Sequence, residues 1–147
     1  YGLPAGLSGL VYVVYLSGTW SSARAGVFSK RYGRGVVVLA SALLMLAGAL
    51  AVAASNLWVA LVGLLVFTAS FFALHSTASG WVGLIAERDR AEASSMYVFC
   101  YYMGSSILGA ATGWAYEGLP WAGFVAVLAA LLAALALVAT ALWRGAR

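Results

Sequence analysis

Residues 35–86, "GVVVLASALLMLAGALAVAASNLWVALVGLLVFTASFFALHSTASGWVGLIA", run for 52 positions without one charged side chain. Soluble domains carry roughly a quarter charged residues, so an uncharged run of this length excludes an ordinary water-soluble fold. A bilayer core of about 30 Å takes roughly 20 helical residues. The run therefore holds two crossings. Its natural break is Ser55-Asn56, because Asn is poor inside a helix and good as the N-cap of one starting at Leu57.

The rest of the chain follows the same plan. Uncharged stretches at 1–23, 93–116 and 118–143 each suit one helix, which predicts five spans at about 3–23, 36–54, 57–80, 94–116 and 120–142 of a single transmembrane domain, 1–147. Hydrophobic residues make up 65% of the chain and charged ones 8%, with a mean hydropathy of +0.99. Runs such as "AVLAALLAALALVATAL" at 126–142 lack the polar–apolar alternation of barrel strands. The fold class is all-α integral membrane, with each backbone group paired inside its own helix.

A net charge of +4 raises the question of nucleic acid, but the cations fall only between spans. Arg24, Lys30, Arg31 and Arg34 follow the first span, Arg88 and Arg90 the third, and Arg144 and Arg147 the last. Alternating spans put all three groups on one face, which the positive-inside rule makes cytoplasmic. Tyr1 then lies outside and Arg147 inside. A chain that begins outside, has an odd number of spans and opens on Tyr1 is expected to be a fragment lacking an upstream helix. Cys100 is the single cysteine, so an intrachain disulfide is impossible.

Hydroxyls nearly vanish from spans two and five, which suits lipid. Spans one, three and four carry many polar groups, which in hydrocarbon need partners or water. These three are expected to line an interior surface. Thr68, Phe72, His75 and Ser79 share a face of span three at helical spacing. His75 is the only residue of a type that titrates near neutral pH. It is either a proton or substrate contact or a neutral imidazole bonded to a neighbouring helix. Tyr12 and Tyr15 on span one, with Tyr97 and Tyr101 on span four, complete the candidates for a substrate pathway; plain aromatic packing is the other reading of the tyrosines. Small residues Ser105, Gly109 and Gly113 are spaced for close helix packing. The stretch 57–86 would measure about 45 Å as one straight helix, so span three must tilt, kink or protrude, with Gly80 and Gly83 as flex points or close-contact sites.

One His, one Cys and carboxylates confined to loops make no metal site or protease dyad, no cofactor is implied, and no glycine-rich phosphate loop is present. Enzyme readings rank low.

The segment "GTWSSARAGVFSKRYGRGVVVLAS" at 18–41 resembles the loop signature of the major facilitator superfamily, G-x-L-a-D-r-x-G-r-r. Gly26, Arg31, Gly33 and Arg34 match this cytoplasmic loop motif, while Lys30 stands where the family has an acid and Gly35 replaces a basic residue. "FFALHSTASGWVG" at 71–83 and "ASSMYVFCYYMGSSILG" at 93–109 resemble helices ten and eleven of bacterial inner-membrane drug or sugar efflux members. The resemblance covers the whole chain. It implies helices eight to twelve of a C-terminal six-helix bundle, with spans one, three and four bordering a central cavity. It also implies alternating access driven by protons, small-molecule substrates, efflux or antiport in the plasma membrane, and dependence on an absent N-terminal half. The alternative is a small membrane scaffold or assembly subunit.

Overall fold

The computed structural model describes residues 9–145. Tyr1 and Arg147, which figure in the reading of the chain ends, lie outside the described residues, as does the start of the first expected span, 3–8. Every regular element described is helical. A 3₁₀ segment, Gly9–Val14, leads into α1 (Tyr15–Tyr32), followed by α2 (Arg34–Val52), α3 (Leu57–Ile85), α4 (Arg90–Gly118) and α5 (Trp121–Gly145). By length and composition, α2, α3 and α5 are long and apolar enough to cross a membrane. α1 instead includes the cations at 24, 30 and 31, and α4 carries serines and tyrosines along its length and charged residues near its ends.

The junctions follow from a few residues. Asn56 caps α3, its Oδ1 accepting from Trp58 N at 2.9 Å and Val59 N at 3.3 Å. Gly33 alone separates α1 from α2, at φ 87°, ψ 146°, a region essentially restricted to glycine. The segment 24–34, expected as a loop, is therefore a correction: α1 runs on through Arg24, Gly26, Lys30 and Arg31 to Tyr32, and Arg34 already belongs to α2. Nothing before Gly33 breaks a helix, since Ala, Ser, Arg and Lys all tolerate one. Leu119 is extended (φ −115°, ψ 148°) because Pro120 crowds the helical conformation of the residue before it.

α3 is a single uninterrupted helix of 29 residues, about 43 Å long at 1.5 Å per residue. Gly80 and Gly83, proposed flex points, cause no break in it. α2 packs along α3 most extensively, α1 lies against α3 and touches α2, and α5 covers another side of α2. At the α2–α3 crossing a Cβ built on Gly48 would stand 2.7 Å from the Gly63 carbonyl oxygen, and one on Gly63 2.8 Å from that of Gly48. Two glycines thus let the backbones touch. Val38 and Ala42 of α2 form a core with Ala136 and Ala139 of α5, flanked by Leu39, Leu74, Trp81 and Leu135. Ser21 of α1 donates to the Ala69 carbonyl of α3 at 2.7 Å.

Two expectations about helix faces need correction. α2, read as lipid-facing, is the most deeply packed helix, with Gly35, Val37, Val38, Ser41, Ala42, Met45 and Gly48 buried. Scarcity of hydroxyls marks an apolar environment, and neighbouring helices supply one as well as lipid does. α4 has no buried residue. Its small-residue stripe, Ser105, Gly109 and Gly113, is exposed, and no heavy atom lies within 4 Å of a Cβ built at either glycine. α4 meets α3 and α5 only lightly.

The cations gather at one end of the bundle. Gly35 lies against the Trp143 backbone, 3.0 Å from its ideal Cβ. A groove of about 520 Å³ there is lined by Tyr32, Gly33, Arg34, Val36, Trp81 and Trp143. The α1–α2 junction, the last turns of α3 and the end of α5 therefore coincide, bringing Arg31, Arg34 and Arg144 to one end, the end from which the segment bearing Arg88 and Arg90 departs.

Candidate functional site

Helical spacing sets aromatic rings in register on three segments. On α3, Phe71 and His75 stand four apart, as do Tyr97 and Tyr101 on α4, so each pair shares a face. The two faces meet. The Tyr97 hydroxyl lies 3.0 Å from His75 Nδ1 and 3.4 Å from the His75 carbonyl oxygen. The Tyr101 ring centroid is 4.6 Å from that of His75, while Phe71 stacks on the imidazole at 5.9 Å and 13°.

The contacts continue on both sides. Phe71 meets Phe72 edge-on at 5.6 Å, Phe72 meets Tyr15 edge-on at 6.2 Å, and Tyr15 stacks on Tyr12 at 6.2 Å. Tyr101 reaches Tyr102 at 5.3 Å. All fall within the 4.5–7 Å range at which aromatic pairs attract. A ribbon of eight rings thus runs from Tyr12 to Tyr102 across the 3₁₀ segment, α1, α3 and α4. Gly18 makes its middle possible, because a Cβ there would collide with the Phe72 ring. The outer rings are open: Tyr12 is 73% exposed, Tyr15 56% and Tyr102 64%.

Of the residues singled out in the sequence, His75, Tyr97 and Tyr101 come into direct contact, and Tyr12 and Tyr15 join them through Phe72 and Phe71. Thr68 and Ser79 do not join. Thr68 is buried, 9% exposed, whereas Ser79, one turn beyond His75, is exposed. The expected common face of span three divides because one of its ends packs inside the bundle. Phe71 and Tyr102 were missed, although Phe71 is signalled by its place four residues before His75. The imidazole is bonded to a neighbouring helix through Tyr97.

The polar economy of the site is simple. His75 Nδ1 and the Tyr97 hydroxyl satisfy one another, and no hydrogen bond is made by His75 Nε2 among the described residues. Carboxylates stand only at 87, 89, 92 and 117, around the helix ends. No three potential metal ligands come together among the described residues. Arg24 lies over the Trp20 ring and Arg31 over the Tyr32 ring, each at 5.2 Å.

No protein-family profile matches the chain, and no solved structure matches it. Relatives do. The inner membrane transport protein YnfM of Escherichia coli (strain K12) is 47% identical over 136 residues, 92% of this chain and 33% of that protein. A Bacillus subtilis (strain 168) protein named as an uncharacterized MFS-type transporter, YybF, is 36% identical over 132 residues, 90% of this chain and 33% of its own length. An uncharacterized transporter of Buchnera aphidicola subsp. Schizaphis graminum is 36% identical over 124 residues, 84% of this chain and 30% of the relative. The chain spans about a third of the length of these relatives. Proteins named as transporters, one of them MFS-type, therefore cover most of this multi-pass membrane chain. Transporters are not enzymes, and none of the three is named as a scaffold.

Proposed function

Taking that likeness to membrane transporters as the premise, we propose that the chain supplies helices eight to twelve of a major facilitator superfamily secondary transporter, in its C-terminal half. The observation that carries this reading is the His75–Tyr97–Tyr101 contact. It joins an imidazole and two tyrosines across α3 and α4. Polar side chains in a membrane bundle mark a solute or ion path.

The transporter moves small organic solutes across the bacterial inner membrane by alternating access, coupled to protons and working as an efflux antiporter of the drug or sugar efflux type. An N-terminal half of the same protein supplies the second wall of the cavity, as in transporters built from two related halves around a midplane site. The five helices cross the membrane with the cationic end in the cytoplasm. His75 carries the proton. When it is neutral with its proton on Nε2, the Tyr97 O–H donates to Nδ1 across 3.0 Å. When it is charged, Nδ1–H donates to the tyrosine oxygen, and the hydroxyl turns to the His75 carbonyl at 3.4 Å. Both states keep their hydrogen bonds, which matters because an unpaired polar group in a low-dielectric site costs about 1–3 kcal/mol.

The test is a resistance or uptake assay of the full-length protein. His75→Ala abolishes flux and Tyr101→Phe reduces it. If both variants transport like the parent, the ribbon is a packing feature and the pathway lies elsewhere.

A further inference from the structure

Two grooves of opposite character meet where α1 passes into α2. The first, about 520 Å³, has Arg34 in its wall together with the rings of Tyr32, Trp81 and Trp143, and no carboxylate. The second, about 300 Å³, lies between α1, α2 and α3 and is lined by residues such as Phe28, Ala40, Leu44, Ala69 and Ala73, none of its wall being charged. Tyr32 and Val36 line both, so the polar groove adjoins the apolar one along that edge.

Their positions match the layers of a membrane. Tyr32 ends α1 and Arg34 begins α2, which sets the polar groove at the end of the spans, the depth at which Trp, Tyr and Arg meet lipid head groups. The apolar groove then follows α2 from Val36 to Leu44, about 12 Å at 1.5 Å per residue. One leaflet of a bilayer core of about 30 Å is roughly 15 Å deep, so the groove accompanies most of an acyl chain toward the midplane.

Charge selects the head group. A guanidinium is cationic at every physiological pH and grips phosphate through two parallel N–H donors. Arg31 stands over the Tyr32 ring at 5.2 Å, and Arg144 follows Trp143 in the chain, so two further guanidiniums border residues of the polar wall. None of the three arginines is in an ion pair among the described residues. A free phosphate would suit the polar groove alone, whereas a lipid phosphate with its chain fills both.

We infer that the paired grooves hold one anionic phospholipid, its phosphate against Arg34 among Tyr32, Trp81 and Trp143 and an acyl chain along α2 between Val36 and Leu44. Basic pockets between helices at a cytoplasmic face bind such head groups. The site goes beyond the transport reading and does not rest on it, since no ring of the His75 ribbon lines either groove.

The experiment is native mass spectrometry of the delipidated full-length protein in detergent, reading the Kd of the first lipid bound. Dioleoyl phosphatidylglycerol, with an anionic head, is compared with dioleoyl phosphatidylcholine, which has the same chains and phosphate but no net charge. The anionic lipid binds about fivefold more tightly, the worth of one cation close to a membrane surface. Arg34→Gln removes that preference. Arg88→Gln, which takes the same charge from a residue lining neither groove, leaves it in place. Ala40→Phe fills the apolar groove and weakens phosphatidylglycerol at least fivefold; Arg34 and Ala40 are both exposed, so neither change opens the core. Glycerol 3-phosphate, a head without chains, does not displace the lipid. Equal affinity for the two lipids, a preference that survives Arg34→Gln or falls as far in Arg88→Gln, unchanged binding in Ala40→Phe, or displacement by glycerol 3-phosphate overturns the inference.

Discussion

Asn56 ends one apolar run and begins another because its carboxamide accepts from two amides that the first turn of α3 leaves free. Removing an N-cap of this kind costs about 1 kcal/mol. Asn56→Ala is expected to lower the stability of the detergent-solubilised protein by that amount in chemical denaturation, and Asn56→Asp to restore most of it. Tyr97 joins two helices through one hydroxyl. Interhelical hydrogen bonds in membrane proteins average about 0.6 kcal/mol, so Tyr97→Phe should cost no more than about 1 kcal/mol of stability. A much larger loss of flux than of stability in that variant would identify the hydroxyl as part of the transport mechanism rather than of packing. Gly33 is a different case, since its φ 87°, ψ 146° lies in a region essentially restricted to glycine. Gly33→Ala should destabilise by about 1–3 kcal/mol, read as a lower unfolding midpoint.

Among the helices, α2 and α4 have exchanged the places their composition suggested. α2 has Ser41 as its one hydroxyl and is wedged between α3, α5 and α1, and α4 is studded with hydroxyls yet buries nothing. Hydropathy reports the polarity of a helix's surroundings, and methylenes of lipid and of Ala or Leu are the same solvent to it. What decides the packing of α2 is shape: Gly48 and Gly63 bring two backbones into contact. Gly48→Ala meets the Gly63 carbonyl and the Phe67 amide nitrogen, at 2.7 and 2.8 Å, and backbone cannot step aside as a side chain would. Overpacking of this sort costs about 1–3 kcal/mol. Gly80→Ala, with nothing within 4 Å of the new methyl group, is expected to be neutral or slightly stabilising in the same thermal-unfolding measurement.

At the scale of the whole molecule, the α1–α2 hinge and the ends of α3 and α5 converge where Arg31, Arg34 and Arg144 lie, while Asn56 begins α3 at its far end. A bundle with its cations at one end has one favoured orientation in a membrane. Cys100 is the single cysteine, so a Cys100→Ser background accepts single reporters cleanly. Cysteines placed at Arg24 and Arg144 are expected to react with an impermeant maleimide only from the cytoplasmic side, and one at Asn56 only from outside. Labelling of Arg24Cys and Arg144Cys from opposite sides would dismantle the five-span arrangement. The ribbon also belongs to this scale, for it exists only where the 3₁₀ segment, α1, α3 and α4 are brought together.

Sequence by itself determined the helical class and the division at Asn56, and it singled out His75, Tyr97, Tyr101, Tyr12 and Tyr15 as polar groups in apolar stretches. Each rests on a local quantity: an uncharged run's length, a side chain's capping ability, or the rarity of a polar group in an apolar stretch. Only the tertiary structure decided that Thr68 packs inside while Ser79 stays outside, that α1 runs on to a one-residue hinge, that α2 is central, and that Phe71 and Phe72 bridge His75 to Tyr15. Those outcomes depend on which face of one helix meets which face of another. That is fixed by shape and close packing between residues distant in the chain, which periodicity within one helix does not encode.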